Sequence, residues 1–462
     1  MVIFYPVYYN KKEHRKIVVI GGNAAGPGAA AKAKRTDPDA EVTMYEAGDF
    51  ISTGTCELPY LLSGEISDYN KIVFFSPETF YEEKGVTVKI RHKVSAINRQ
   101  NKIIEVLNLK TGKAEHAHYD SVILATGSRA RQVYGLSGSF KNVFNLKSVG
   151  DYLKIKTYLE ENNVEDVLVV GAGYIGLEVA ESLSETGYDV TVTELANRPM
   201  PGADEEISRL MHEQINKSGV IFSGSRKVEK VHSKDYKVTS VKLGSDLVNI
   251  DMVIVATGVE PNTELALNSG LSIGKTGAIK VNNKLKTSCS RIYSAGDNSE
   301  ITNFITGRPF YFPVATMAHS MGHIAGENAA GGNAYFSPVV KNIAVKIFGK
   351  AFTRVGLNSA EASDFSINAT AVSTVMPNLV KVMPDSKSVF GKIIFDRNTR
   401  LLLGAQFYGG KETVGYADMI SMMIKQKIRA DELYTVDYNY TPPFSPFVNI
   451  LSVLGKKIRN TR

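Results

Sequence analysis

The chain has 462 residues, 43% of them apolar, with 39 glycines and a formal net charge of +7; this is the profile of a loop-rich α/β enzyme of about three domains. Its two cysteines exclude a disulfide framework and a cysteine-built metal cluster, and they point to a reducing cytoplasm. The positive excess gathers at the termini without the aromatic interleaving of a nucleic-acid surface, and no run of eighteen apolar residues offers a membrane span.

Residues 1–13 begin with MVIFYPVYYN, too short and too aromatic for a signal peptide, and are expected to form a tail or an added edge strand. The apolar run KIVVI over 16–20 predicts a buried parallel strand that opens onto Gly21-Gly22-Asn23-Ala24-Ala25-Gly26 and an alanine-rich helix. Gly21, Gly22, Ala24, Ala25 and Gly26 are small enough to let backbone approach a pyrophosphate at a helix N-terminus, although Asn23 stands where a G-x-G-x-x-G motif has its second glycine. The next strand, 42–46, ends in Glu46, placed to hold a ribose hydroxyl.

Ser52-Thr-Gly-Thr-Cys56-Glu-Leu-Pro-Tyr60 follows. Pro59 and the apolar residues after it predict the first turn of a short helix, which sets Cys56 at its positive end and favours the thiolate. Read alone, Cys56 is either a buried structural cysteine or a redox sulfur delivered to the dinucleotide. The strand over 122–125 ends in Thr126 and Gly127, a tight turn returning the chain between domains.

The nucleotide pattern then repeats in fuller form: a strand, Gly171-Ala-Gly173-Tyr174-Ile175-Gly176-Leu-Glu178, and a second strand ending in Glu194. Glu194 is expected to accept the 2′-hydroxyl of NADH and repel the 2′-phosphate of NADPH, a preference tempered by Arg198. A second returning turn ends in Thr257-Gly258, and Cys289 decorates a loop. The strand over 292–295 ends in Gly296-Asp297, and after Pro313 a helix begins near Ala315, its N-terminus aimed at the first cofactor. Gly331-Gly332-Asn333 reads as a hinge, and 392–396 with 401–406 reads as a hairpin.

These features resemble the FAD-dependent pyridine nucleotide-disulfide oxidoreductases over about residues 15–450, and within them the single-cysteine branch: coenzyme A-disulfide reductases, NADH oxidases and peroxidases, and persulfide reductases. The branch is marked by one cysteine in C-x-x-P-Y instead of a C-x4-C pair. The resemblance implies an α/β fold with two Rossmann-like domains, glutathione reductase-like, and a C-terminal α+β dimerisation domain. Residues 14–148 and 259–332 would bind FAD, with Asp297 at its ribityl chain, 149–258 would bind NADH, and 333–462 would form a homodimer. It further implies that Cys56 forms a mixed disulfide or persulfide with a small-molecule thiol substrate. Tyr440, before Thr441-Pro-Pro-Phe-Ser445, would reach the flavin site of the other subunit.

The oxidases and peroxidases of this branch carry a histidine in the first glycine turn, where this chain has Asn23-Ala24-Ala25. Residues matching the coenzyme A site are Arg35, Ser52, Lys84 and His319, with Lys32 and Thr55 as replacements at two further positions; Val448 replaces a lysine, and a second active-site tyrosine expected near Val382-Met383-Pro384 is missing. No rhodanese-like domain follows within the sequence, so a persulfide is expected to arrive from another protein or as a small molecule. The function implied is reduction of coenzyme A disulfide or persulfide by NADH, with NADPH as a possible donor. The alternatives are oxygen or peroxide reduction, and a non-catalytic flavoprotein that senses redox state.

Overall fold

The computed structural model describes residues 14–136 and 139–461, so the tail expected over 1–13 lies outside the described residues. Three sheets organise the chain. The first is parallel, in the order Ile292–Ser294, Ser121–Leu124, Lys16–Ile20, Glu41–Tyr45, Thr87–Lys89. Lys16–Ile20 lies at its centre with a strand on each side, which is why the sequence there is continuously apolar. Ile17, Val18, Val19 and Ile20 are all buried, each contributing about 1.5–3 kcal/mol of apolar burial.

Helices Ala25–Thr36 and Ala315–Ala329 pack together against this sheet. Their approach depends on missing side chains, since a Cβ at Gly322 would lie 2.2 Å from the Ala25 carbonyl oxygen and one at Gly326 would lie 2.1 Å from that of Ala29. This contact fixes the start of Ala315–Ala329 beside the first glycine turn.

The second sheet repeats the design, ordered Val143–Phe144, Met252–Val255, Asp166–Val170, Asp189–Thr193, Ile221–Ser223, all parallel. Val143–Phe144 belongs to this sheet, and the Asn142 side chain bonds Val238 and Asp251 backbone. The chain therefore passes from the first sheet's unit to the second's before Val143. The two returning turns end in Ser128–Ala130 and Val259–Pro261, which pair antiparallel as a ribbon between the units. Asn262 fastens the ribbon, donating to the Thr126 carbonyl at 2.8 Å while its own carbonyl accepts from the Thr126 hydroxyl at 2.9 Å.

The third sheet is antiparallel, ordered Asn342–Ile347, Lys350–Gly356, Leu402–Gly409, Ser388–Asp396, Ala369–Pro377. The expected hairpin is its centre, with Ile393 opposite Ala405. Helices Glu412–Lys425 and Ile450–Asn460 bury apolar residues with this sheet in one core. Buried charge ties this unit to the second sheet's unit. Lys392 reaches Asp204 at 2.8 Å and Glu206 at 3.0 Å, and Arg354 pairs with Glu361 while donating to the Gly202 carbonyl at 2.7 Å.

Candidate active site

A cleft of about 2590 Å³ runs between the units and is lined by both glycine turns. In the first, Gly21 holds φ +112°, and a Cβ there would lie 2.0 Å from the Ala125 carbonyl oxygen. A Cβ at Gly26 would sit 1.8 Å from the Gly21 carbonyl oxygen, so strand, turn and helix close on one another. The second turn copies this, with Gly171 at φ +107° and Gly176 pressed on the Gly171 carbonyl.

The two acids are held alike. Glu46 accepts from the backbone N–H of Gly22 and of Gly48, each at 2.6 Å. Glu194 accepts from Ala172 N–H at 2.9 Å and Ala196 N–H at 3.0 Å. Each carboxylate is thereby fixed at the mouth of its turn, the position a ribose hydroxyl requires. Arg198 does not line this cleft; it faces a separate hollow with Asp204, Glu205, Glu206 and Arg209. The cations beside Glu194 in the cleft are Arg226 and Lys227. Sequence distance hid them, because Arg226 arrives from beyond the neighbouring strand Ile221–Ser223.

Gly21, Gly22, Ala24, Ala25, Thr126, Gly127, Gly173, Tyr174, Ile175, Gly258, Asp297 and Ala315 all line the cleft. Asp297 accepts from the Ser128 hydroxyl at 2.8 Å and lies 3.7 Å from the Lys147 ammonium. The Tyr311 hydroxyl is buried nearby, with Ser128 beside it but no hydrogen bond of ordinary geometry. That orphaned hydroxyl, the glycine cradle at Gly21 and the fixed carboxylate of Glu46 together suit an extended dinucleotide lying along the first turn. Ser128, Lys147 and Tyr311 carry no sequence motif and were not legible as site residues.

Cys56 lies in a 3-10 turn, Thr55–Glu57, that leads into the helix Leu58–Leu62, and its side chain opens on the same cleft. Its electrostatics correct the expectation of a thiolate. Partial burial and the carboxylates of Glu57, Glu178 and Asp297 push the thiol above its ordinary range, with Lys147 opposing. A helix of five residues supplies too little dipole to offset burial together with the neighbouring Glu57 and the carboxylates of Glu178 and Asp297, which arrive from other elements.

The residues matched to a coenzyme A site divide into groups. Thr55 lines the cleft, and the Ser52 hydroxyl is buried without a partner, on a residue with φ 50°. Lys32, Arg35 and His319 gather on the faces of the two packed helices, where His319 stands 4.4 Å, ring to ring, from His323. Lys32 is paired with Glu327 at 2.8 Å. Lys84 is engaged with Glu83 at 3.1 Å and lies over the Phe75 ring. Tyr440 is exposed on the far loop, edge-on to Phe447 and outside the lining of this chain's cleft, with Phe444, Phe447 and Val448 also exposed.

Comparison with known proteins agrees with this geometry. Residues 15–322 match the family described as pyridine nucleotide-disulphide oxidoreductase, and residues 344–450 match its dimerisation domain. An NADH oxidase of Methanocaldococcus jannaschii is 32% identical over 96% of this chain and 100% of its own length. A CoA-dependent NAD(P)H sulfur oxidoreductase of Pyrococcus abyssi is 32% identical over 97% of this chain and 99% of its own. The solved structure of a NAD-dependent persulfide reductase from A. fulgidus superposes with a TM-score of 0.93 at 32% identity, covering 96% of this chain and 83% of that one. With two nucleotide turns, a cleft cysteine and matches that span nearly its full length, the chain belongs to the pyridine nucleotide-disulphide oxidoreductases.

Proposed function

We propose that the chain uses FAD and NAD(P)H to reduce a disulfide or persulfide, with coenzyme A disulfide or coenzyme A persulfide as the favoured substrate, through Cys56. The observation that carries this is the position of Cys56. Of the two cysteines, it alone lines the cleft shared by both glycine turns, while Cys289 packs on the outer side of the first sheet.

In this account the Gly21 turn and the start of Ala25–Thr36 hold the FAD pyrophosphate, Glu46 its ribose, and Asp297 its ribityl chain. The Gly171 turn and Glu194 hold the nicotinamide nucleotide. FAD, when bound, supplies the transfer of two electrons from nicotinamide to sulfur. Cys56 exchanges with the substrate to give a mixed disulfide, and the first thiol leaves. Reduction then breaks the Cys56 sulfur–sulfur bond and releases the second thiol. Lys147 is the cation that favours charge on the Cys56 sulfur, against the surrounding carboxylates.

Lys32, Arg35, His319, Lys84, Ser52 and Thr55 form the coenzyme A subsite in this account, the cations meeting phosphates and Thr55 nearest the reacting sulfur. Glu194 favours NADH over NADPH, with Arg226 and Lys227 as the cations that moderate the preference. The protein works as a homodimer in the cytoplasm. The exposed Tyr440, Phe444, Phe447 and Val448 are covered by the second copy, and Tyr440 completes that copy's site. Among the described residues no helix is long and apolar enough to cross a membrane.

Oxygen or peroxide reduction is the second reading, favoured by the likeness to the M. jannaschii NADH oxidase. The histidine-free first turn opposes it. Steady-state NADH consumption with coenzyme A disulfide, coenzyme A persulfide, peroxide and oxygen separates the two. Sulfur acceptors should be fastest, and Cys56→Ser should retain FAD yet lose that turnover; unchanged sulfur turnover in Cys56→Ser overturns the assignment.

A further inference from the structure

The third sheet grips the second nucleotide unit through a short loop. Arg354, on Lys350–Gly356 and 2% exposed, donates through Nη1 to the Gly202 carbonyl at 2.7 Å, and Asn358 Nδ2 donates to the same oxygen at 3.0 Å. Nη2 of Arg354 is held by Glu361, which Lys341 also meets at 3.2 Å, so the guanidinium has little freedom to move. Two residues before Gly202, the Met200 N–H donates to the Ala172 carbonyl at 2.8 Å, inside the second glycine turn. The N–H of Ala172 is in turn the donor that holds Glu194 at 2.9 Å.

Met200 is buried with φ 51°, in the left-handed region that a residue with a side chain occupies only where its surroundings over-determine it. The loop is clamped at both ends, by the turn at Met200 and by the third sheet at Gly202, and Pro201 between them lines the cleft. The clamp also reaches a side chain of the turn. A Cβ at Gly202 would stand 3.1 Å from Arg354 Nη1 and 3.7 Å from the Tyr174 hydroxyl, so guanidinium and phenol meet over that glycine. Burial pushes the Tyr174 phenol up, and the Arg354 charge opposes it.

We propose that Arg354 is a positioning residue for the nicotinamide nucleotide: it fixes Gly202 and the Tyr174 hydroxyl, and through Met200 and the Ala172 peptide it fixes the Glu194 carboxylate. This rests on the assignment of the second glycine turn to that nucleotide. Arg354 to Gly202, Met200 to Ala172 and Ala172 to Glu194 are bonds of 2.7, 2.8 and 2.9 Å, a continuous network of the kind that carries coupling between units. Arg354 lies 152 positions from Gly202 and belongs to no nucleotide motif.

The test mixes FAD-loaded protein anaerobically with NADH or NADPH and follows the bleaching of oxidised flavin by stopped flow. This yields a Kd and a limiting rate for each donor with no sulfur acceptor present. Arg354→Met removes a charged donor, so the Kd for NADH should rise about tenfold while the limiting rate stays within about twofold of the parent's. The Kd for NADPH should rise less, because a loosened Glu194 both holds a 2′-hydroxyl less well and repels a 2′-phosphate less. Arg354→Lys should recover part of the loss. Tyr174→Phe and Arg354→Met combined should lose less than the sum of the two, since one hydroxyl is shared between them.

A loss of stability alone lowers the amount of folded protein and leaves the Kd of that fraction unchanged. Lys392→Met makes the comparison, because it weakens the same junction at Asp204 and leaves the Gly202 carbonyl alone; its Kd should match the parent's. If Arg354→Met does not fold, Gly202→Ala takes its place. Gly202 has no positive φ, and the added methyl would press between guanidinium and phenol, raising the Kd for NADH in the same direction. An unmoved Kd in the variant used, a rise in Lys392→Met as large as that in Arg354→Met, or full additivity with Tyr174→Phe overturns the proposal and leaves the nicotinamide assignment standing. A parent whose flavin is reduced by neither NADH nor NADPH overturns that assignment, and the proposal with it.

Discussion

Truncating Lys392 should loosen the junction between the second nucleotide unit and the third sheet. Its side chain is 9% exposed and that of Asp204 is 5%, at 2.8 Å, while Glu206 at 3.0 Å is 42% exposed and adds little. Breaking a buried pair by removing one partner costs about 3–5 kcal/mol. The low end applies to Lys392→Met, because Asp204 keeps the Ser359 backbone N–H at 3.1 Å and the Ser359 hydroxyl at 2.6 Å. At about 2–4 °C per kcal/mol for units of this size, ~3 kcal/mol is a fall of roughly 6–12 °C in Tm. The double variant Asp204→Asn, Lys392→Met should lose much less than the sum of its parts, since no charge is left buried alone.

The pH dependence has a definite sign. The partners hold the Asp204 carboxyl below its ordinary range, so its contribution is present above the unfolded value of about 3.9 and disappears as pH falls through the folded one. Lys392 is raised, so its contribution is present below the unfolded value of about 10.4 and is lost as pH rises through the folded one. The pair is therefore intact across neutral pH. Thermal unfolding followed by far-UV circular dichroism and by flavin fluorescence measures the cycle. Additive losses, or a Lys392→Met midpoint indistinguishable from the parent's, refute the reasoning.

Gly26→Val should abolish FAD retention, because its Cβ would stand 1.8 Å from the Gly21 carbonyl oxygen; yellow protein with the usual flavin absorbance contradicts that. Glu194→Ala should narrow the NADH preference in kcat/KM by about tenfold, the loss of roughly 1.4 kcal/mol of discrimination, and Arg226→Ala should widen it; an unmoved ratio in both leaves the nicotinamide assignment without support. Replacing Phe444 and Phe447, 82% and 75% exposed, by serine should yield a monomer in sedimentation if a second copy covers them. An intact dimer places the contact elsewhere.

Sequence made the nucleotide machinery legible because its requirements are local. A buried strand must read as an apolar run, a turn that closes on itself needs Gly21 and Gly26, and an acid at the end of the next strand falls at the mouth of that turn. The junctions were illegible because they join residues with ordinary surroundings across long separations. Ser128 and Asp297 are 169 positions apart, and Tyr60 and Glu178 are 118 apart. The thiolate expectation failed for the same reason: the start of Leu58–Leu62 is visible in sequence, whereas the convergence of Glu178 and Asp297 on Cys56 is a property of the fold. Helix packing likewise gives Lys32 its partner Glu327, which lies far away in the sequence.

The central claim is that Cys56 takes substrate sulfur and returns it reduced. Parent protein and Cys56→Ser, each treated with coenzyme A disulfide, freed of excess and titrated anaerobically with NADH, test it directly. The parent should consume twice the NADH that Cys56→Ser does and release coenzyme A as it does so, because only the parent carries a mixed disulfide beside its flavin. Equal consumption by the two proteins, with no coenzyme A released, would contradict the account.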